Sequence, residues 1–140
     1  MVSVKEKKEL IKTILREGNE KKFNYKGYDC LIKRMENRWH LCGYIKYKPQ
    51  DEKEWDMFNK NFHWGVTYDN YDGGWLGEAW IGFDCMHLED KTPHDVLFEE
   101  QLIPKWEGAA YRTMEYVEEC LKNAVDELED NKNDLQNNLY

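Results

Sequence analysis

Val117, Cys120, Leu121, Ala124, Val125 and Leu128 fall at i, i+3, i+4, i+7, i+8 and i+11, one apolar stripe along a helix that begins after Thr113, a residue suited to N-capping. A helix with a single apolar stripe is stable only when that stripe is buried against another element. The rest of the chain must therefore supply an apolar surface, and 140 residues allow one core of ordinary size.

The partner surface reads as β-sheet. Phe23–Met35, a polar turn near Glu36-Asn37-Arg38, and Trp39–Tyr47 form a predicted hairpin. In its second arm Trp39, Leu41, Gly43 and Ile45 alternate with His40, Cys42, Tyr44 and Lys46. A second hairpin is predicted from Asn61–Asp69 and Trp75–Asp84, joined by Asn70-Tyr71-Asp72-Gly73-Gly74, whose glycines permit a tight turn. Residues 4–17 predict a short N-terminal helix stopped by Gly18, and Asp51–Asn59 a helical turn carrying Trp55, Met57 and Phe58. Residues 88–110, with Pro93, Pro104 and Gly108, read as a long irregular crossing over the surface. The expected architecture is α+β: a mainly antiparallel sheet of two hairpins packed by a C-terminal amphipathic helix, with a short N-terminal helix. Residues 1–130 form one domain, and 131–140 a polar tail expected to fray.

Six tryptophans and nine tyrosines supply a core without staples, and four scattered cysteines without paired C-x-x-C spacing read as reduced thiols. No apolar run has the length of a signal-peptide core or a membrane span, which predicts a cytoplasmic protein without membrane association. The net charge of −8 is unevenly distributed: residues 1–60 carry 15 Lys+Arg against 10 Asp+Glu, and residues 61–140 carry 5 against 18. An acidic chain is a poor general nucleic-acid binder, because that affinity comes from neutralising phosphates. The acidic helix face of Glu115, Glu118, Glu119, Asp126 and Glu127 reads as solvated, or as a surface that occupies a basic protein groove.

Chemistry-bearing residues gather between His63 and Asp90. On a strand Phe83, Cys85 and His87 would share one face and Asp84 and Met86 the other, with His63 on the neighbouring strand of the same hairpin. Three readings follow. His63, Cys85 and His87 are candidate ligands for a transition metal, zinc in particular, although one Cys-x-His pair lacks the second pair of structural zinc signatures. His63, Asp84, Cys85, His87 and Asp90 are candidate catalytic groups, with a Cys-His pair, an acid-base pair or a metal-bound water. Otherwise these are polar residues fixed in a partly buried sheet, and no cofactor is required. Trp64, Trp75 and Trp80 add flat rings, and His63, Trp64, Thr67, Trp80, Asp84 and His87 make a candidate ligand-binding set. His40 reads as a strand-face histidine and His94 as a loop residue.

The segments His63-Trp64-Gly65-Val66-Thr67, Trp80-Ile81-Gly82-Phe83-Asp84-Cys85-Met86-His87 with Asp90, Tyr111-Arg112 and Tyr116-Val117-Glu118-Glu119-Cys120 occur in order. They follow Tyr25-Lys26-Gly27-Tyr28 with Cys30 and His40-Leu41-Cys42-Gly43-Tyr44. In this combination the chain resembles an uncharacterised family of small phage and prophage proteins over roughly residues 24–128. It departs from that family's H-G-G-L-T pattern at Trp64 and Val66, and Lys48–Phe58 replaces a Pro-Gly-rich segment. The resemblance implies a phage accessory origin and no particular reaction. The leading expectation is a counter-defence binder that sequesters a nucleotide-derived small molecule. The alternatives are an acidic interaction protein blocking a host nuclease or other host defence protein, and a small hydrolase or metal-dependent enzyme. Homo-oligomerisation is compatible with the sequence and not specified by it.

Overall fold

The computed structural model describes residues 2–69, 76–77, 79–99 and 108–138. Helix α1 (Val4–Glu17) starts at Ser3, whose Oγ accepts the Glu6 N–H, and stops at Gly18, whose φ of 76° is a left-handed value suited to glycine. Strands β1 (Glu20–Tyr25) and β2 (Tyr28–Arg34) follow, then β3 (Leu41–Lys46), helix α2 (Glu52–Asn61), β4 (Tyr68–Asp69), β5 (Trp80–Asp84), helix α3 (Pro93–Phe98) and helix α4 (Met114–Asn138). The sheet order is β1-β2-β3-β5-β4, and every neighbouring pair is antiparallel. The α+β class, the N-terminal helix and the C-terminal helix are those expected from the sequence.

Several elements differ from the sequence reading. Phe23–Met35 is not one hairpin arm, because Lys26 and Gly27, both at positive φ, turn the chain so that β1 and β2 pair with each other. In the second hairpin β4 does pair with β5, Tyr68 opposite Gly82 and Asp69 opposite Ile81. Asn61, however, closes α2, and His63 sits in the turn that follows it instead of on a strand. The expected turn at residues 70–74 and Trp75 lie outside the described residues.

The 88–110 segment is only partly a surface crossing. Asp90 and Thr92 are almost fully buried, Asp90 bridges Ala110, and Thr92 with Pro93 starts α3, so His94 is helical. Helix α4 continues to Asn138, through much of the segment expected to fray.

One face of the sheet carries the main core. Ile32, Ile45, Ile81 and Phe83 meet Val117, Leu121, Val125 and Leu128 of α4, with Met57 and Phe58 of α2 closing one side. Each such large apolar side chain contributes about 1.5–3 kcal/mol on burial. Gly43 sets the approach of α4: a Cβ there would stand 2.8 Å from Cγ1 of Val117. At the other end of α1, the Glu17 carboxylate receives a hydrogen bond from the Met114 N–H at the start of α4 and pairs with the buried Arg34 guanidinium. Those contacts hold α1, none of whose residues is buried. No helix among the described residues is long and apolar enough to cross a membrane.

Candidate functional site

The candidate residues separate into two groups. In the first, His63 and Asp90, buried and 27 positions apart, meet beneath α4: His63 Nε2 lies 2.9 and 3.0 Å from the two carboxylate oxygens of Asp90. A carboxylate only accepts, so Nε2 carries the proton. In the neutral ring Nδ1 then accepts the Tyr116 hydroxyl at 2.8 Å. Asp90 also accepts Arg112 Nε at 2.8 Å and the His87 N–H at 2.9 Å. Burial by itself raises the Asp90 pKa, and the hydrogen bonds from His63, Arg112 and His87 outweigh it, holding the carboxyl below its ordinary value. Both ring nitrogens of His63 are thus engaged in a nearly closed environment. This geometry suits a strut that ties the α2–β4 turn, the β5–α3 loop and α4 together.

The second group is more open. Strand β5 ends at Asp84, and the chain turns there because Asp84 Oδ1 accepts the Met86 N–H at 3.0 Å. The turn overrides the strand alternation expected for residues 84–87. It brings His87 Nε2 within 3.2 Å of Asp84 Oδ1, although the two were expected on opposite faces. Thr67 donates to Asp84 Oδ2 at 3.0 Å. The ring of His87 stacks on Trp64 at a centroid distance of 5.0 Å and an angle of 6°. Trp64 is 50% exposed and has a φ of 61°, a strained value for a bulky residue. Glycine adopts that conformation without strain.

Cys85 belongs to neither group. It is buried in the core, and burial, followed by the nearby Asp90 charge, pushes its thiol far above the range in which a thiolate forms at neutral pH. Trp80 lines a different recess, with Leu31, Lys33 and Leu76. Among the described residues no group of three or more His, Cys, Asp or Glu side chains is arranged to hold a metal ion. Much of the acidic face of α4 is paired at the surface, since Glu118, Asp126 and Glu127 meet Lys21, Lys26 and Lys60 from the basic half of the chain.

A cavity of about 300 Å³ lies over the sheet face turned away from α4. Its floor follows from the strand register: Tyr44 of β3 stands opposite Gly82 of β5, which stands opposite Tyr68 of β4. A Cβ on Gly82 would run into the Tyr44 ring and come within 2.5 Å of the Gly43 carbonyl oxygen. Glycine therefore lets Tyr44 lie across the sheet to meet Tyr68 edge-on, at 5.2 Å and 82°. Met35 and Met86 add apolar walls, and Thr67 and Asp84 add polar ones.

The wall also contains His40, which sequence reasoning set aside. His40 precedes β3, is 5% exposed, and its Nδ1 has no hydrogen-bond partner among the described residues. Burial lowers its pKa and keeps the imidazole neutral. The sequence signal was its place in the strand pattern beside Cys42 and Tyr44, which puts a polar ring next to the aromatic floor. Of the six expected ligand-binding residues, Thr67 and Asp84 line this cavity, and His87 with Trp64 adjoins it through Asp84. His63 and Trp80 lie elsewhere.

Comparisons of the chain with family models, with curated proteins and with solved structures gave no match.

Proposed function

We propose that this chain is a non-catalytic, phage-type accessory protein that sequesters a small nucleotide-derived molecule in the cavity on the open sheet face. The observation that carries the reading is the cavity itself: a paired-tyrosine floor with His40, Thr67 and Asp84 around it. Its volume of about 300 Å³ is at the small end of ligand sites and suits one nucleobase-sized group. The phage-type part rests on the sequence motifs, and His63, Asp90, Arg112 and Tyr116, one from each of four of those segments, meet in space, which supports reading them as a combination. A non-catalytic role fits a buried Cys85 and a His63 with both nitrogens engaged.

Calorimetric titration of the intact protein with cyclic nucleotides and ADP-ribose derivatives tests the proposal. Saturable heat at one site per chain is expected, with affinity weakened by Tyr68→Ala, since an aromatic face under a base is worth about 1–3 kcal/mol. Absence of heat across the whole panel overturns it.

A further inference from the structure

Resting on the ligand-binding reading above, we infer that the cavity takes its ligand base-first: it receives a planar nitrogen heterocycle that donates an N–H to Asp84, and any phosphate stays outside. The described lining contains the carboxylate of Asp84 and neither Lys nor Arg, so a phosphate placed there would meet a like charge and no cation.

The hydrogen-bonding capacity of the wall specifies the complementary edge. A carboxylate offers about four acceptor positions. On Asp84, the Thr67 hydroxyl and the Met86 N–H account for two. Acceptor capacity is left for an incoming donor. His40 contributes Nδ1, which has no partner among the described residues and is shut off from solvent, so a small turn of the side chain would bring it to a second polar atom on the same edge. A buried polar atom without a partner destabilises the empty protein, and a ligand that satisfies it recovers that loss on binding. Tyr68, partly exposed and braced edge-on by the buried Tyr44, supplies the aromatic contact for a heterocycle. A purine or pyrimidine base, with N–H groups and ring nitrogens along one edge, meets these requirements. An isolated phosphate does not.

The test is calorimetry of the full chain with guanosine, adenosine, cytidine and uridine, each beside its 5′-monophosphate. At least one nucleoside is expected to bind no more weakly than its monophosphate. Asp84→Asn, which keeps an acceptor for Thr67 and removes the charge, should weaken that nucleoside by about tenfold or more. His40→Leu should weaken it similarly while the thermal midpoint stays equal or rises, an outcome that loss of folding does not produce.

Tighter binding of the monophosphates, or unchanged affinity in both variants, overturns the base-first inference and leaves the binder reading standing. Binding only of the cyclic nucleotides or ADP-ribose derivatives does the same. Failure of every compound in both panels overturns the two together.

Discussion

The two faces of the five-stranded sheet are built to different ends. Toward α4, Ile32, Ile45, Ile81 and Phe83 meet a continuous apolar stripe, and the polar groups at its margin, His63, Asp90 and Arg112, satisfy one another. Away from α4, the same strands present Cys42, Tyr44 and Asp84 to a cavity, and His40 beside them keeps a buried nitrogen without a partner among the described residues. The first face is arranged for stability. The second leaves a buried polar atom unsatisfied among the described residues, a cost in stability that on the proposed reading a ligand offsets.

The comparison is broken most readily with two aspartates. Asp90→Ala leaves His63 and Arg112 without their shared acceptor and should cost about 3–5 kcal/mol in urea unfolding, as the loss of one member of a buried charged network does. Asp84→Ala on the open face should cost about 1–2 kcal/mol, because its side chain is partly solvated. A reversed order would mean that the open face, not the α4 face, carries the fold.

Acid sharpens the contrast. His40 has a depressed pKa in the fold, so below the ordinary value of 6.5 the unfolded chain takes up a proton that the folded chain resists. Stability should fall from that point at up to about 1.4 kcal/mol per pH unit, and His40→Leu should flatten that limb. The Asp90 carboxyl is also depressed, but as an acid: its contribution is complete above 3.8 and is lost as pH falls through its lower folded value. Thermal midpoints between pH 7 and 3 in His40→Leu and Asp90→Asn should separate these two windows.

The smallest effect belongs to the exterior of α4. Lys60→Ala removes the pairing of a largely exposed ammonium with Glu127 and should change stability by about 0.5 kcal/mol or less, with the difference vanishing in high salt.

What the sequence revealed follows the range of the forces involved. The α4 stripe was legible because helical periodicity is local, and its residues are those buried on the sheet. The turn at Lys26-Gly27 carried a readable glycine signal, which a reading of Phe23–Met35 as one arm passes over. Similarly, Thr92-Pro93 with Asp95 is a recognisable helix start inside a segment read as irregular. His63 was misplaced because Phe62-His63-Trp64 suits a strand by composition, whereas the apolar face of α2 and the cap at Phe62 decide the local structure. Its meeting with Asp90 depends on chain segments converging in three dimensions and has no local signature. The cavity was half legible: Thr67 and Asp84 were in the expected set, but His40 gains its role from a strand register that brings it near them.

The position of α4 in the chain bears on biosynthesis. A ribosome delivers β1, β2, β3 and β5 well before Val117–Leu128, the segment that covers their apolar side. Nascent chains thus display Ile32, Ile45, Ile81 and Phe83 to whatever surrounds them until Val117–Leu128 has been made, an order that favours folding after that segment emerges.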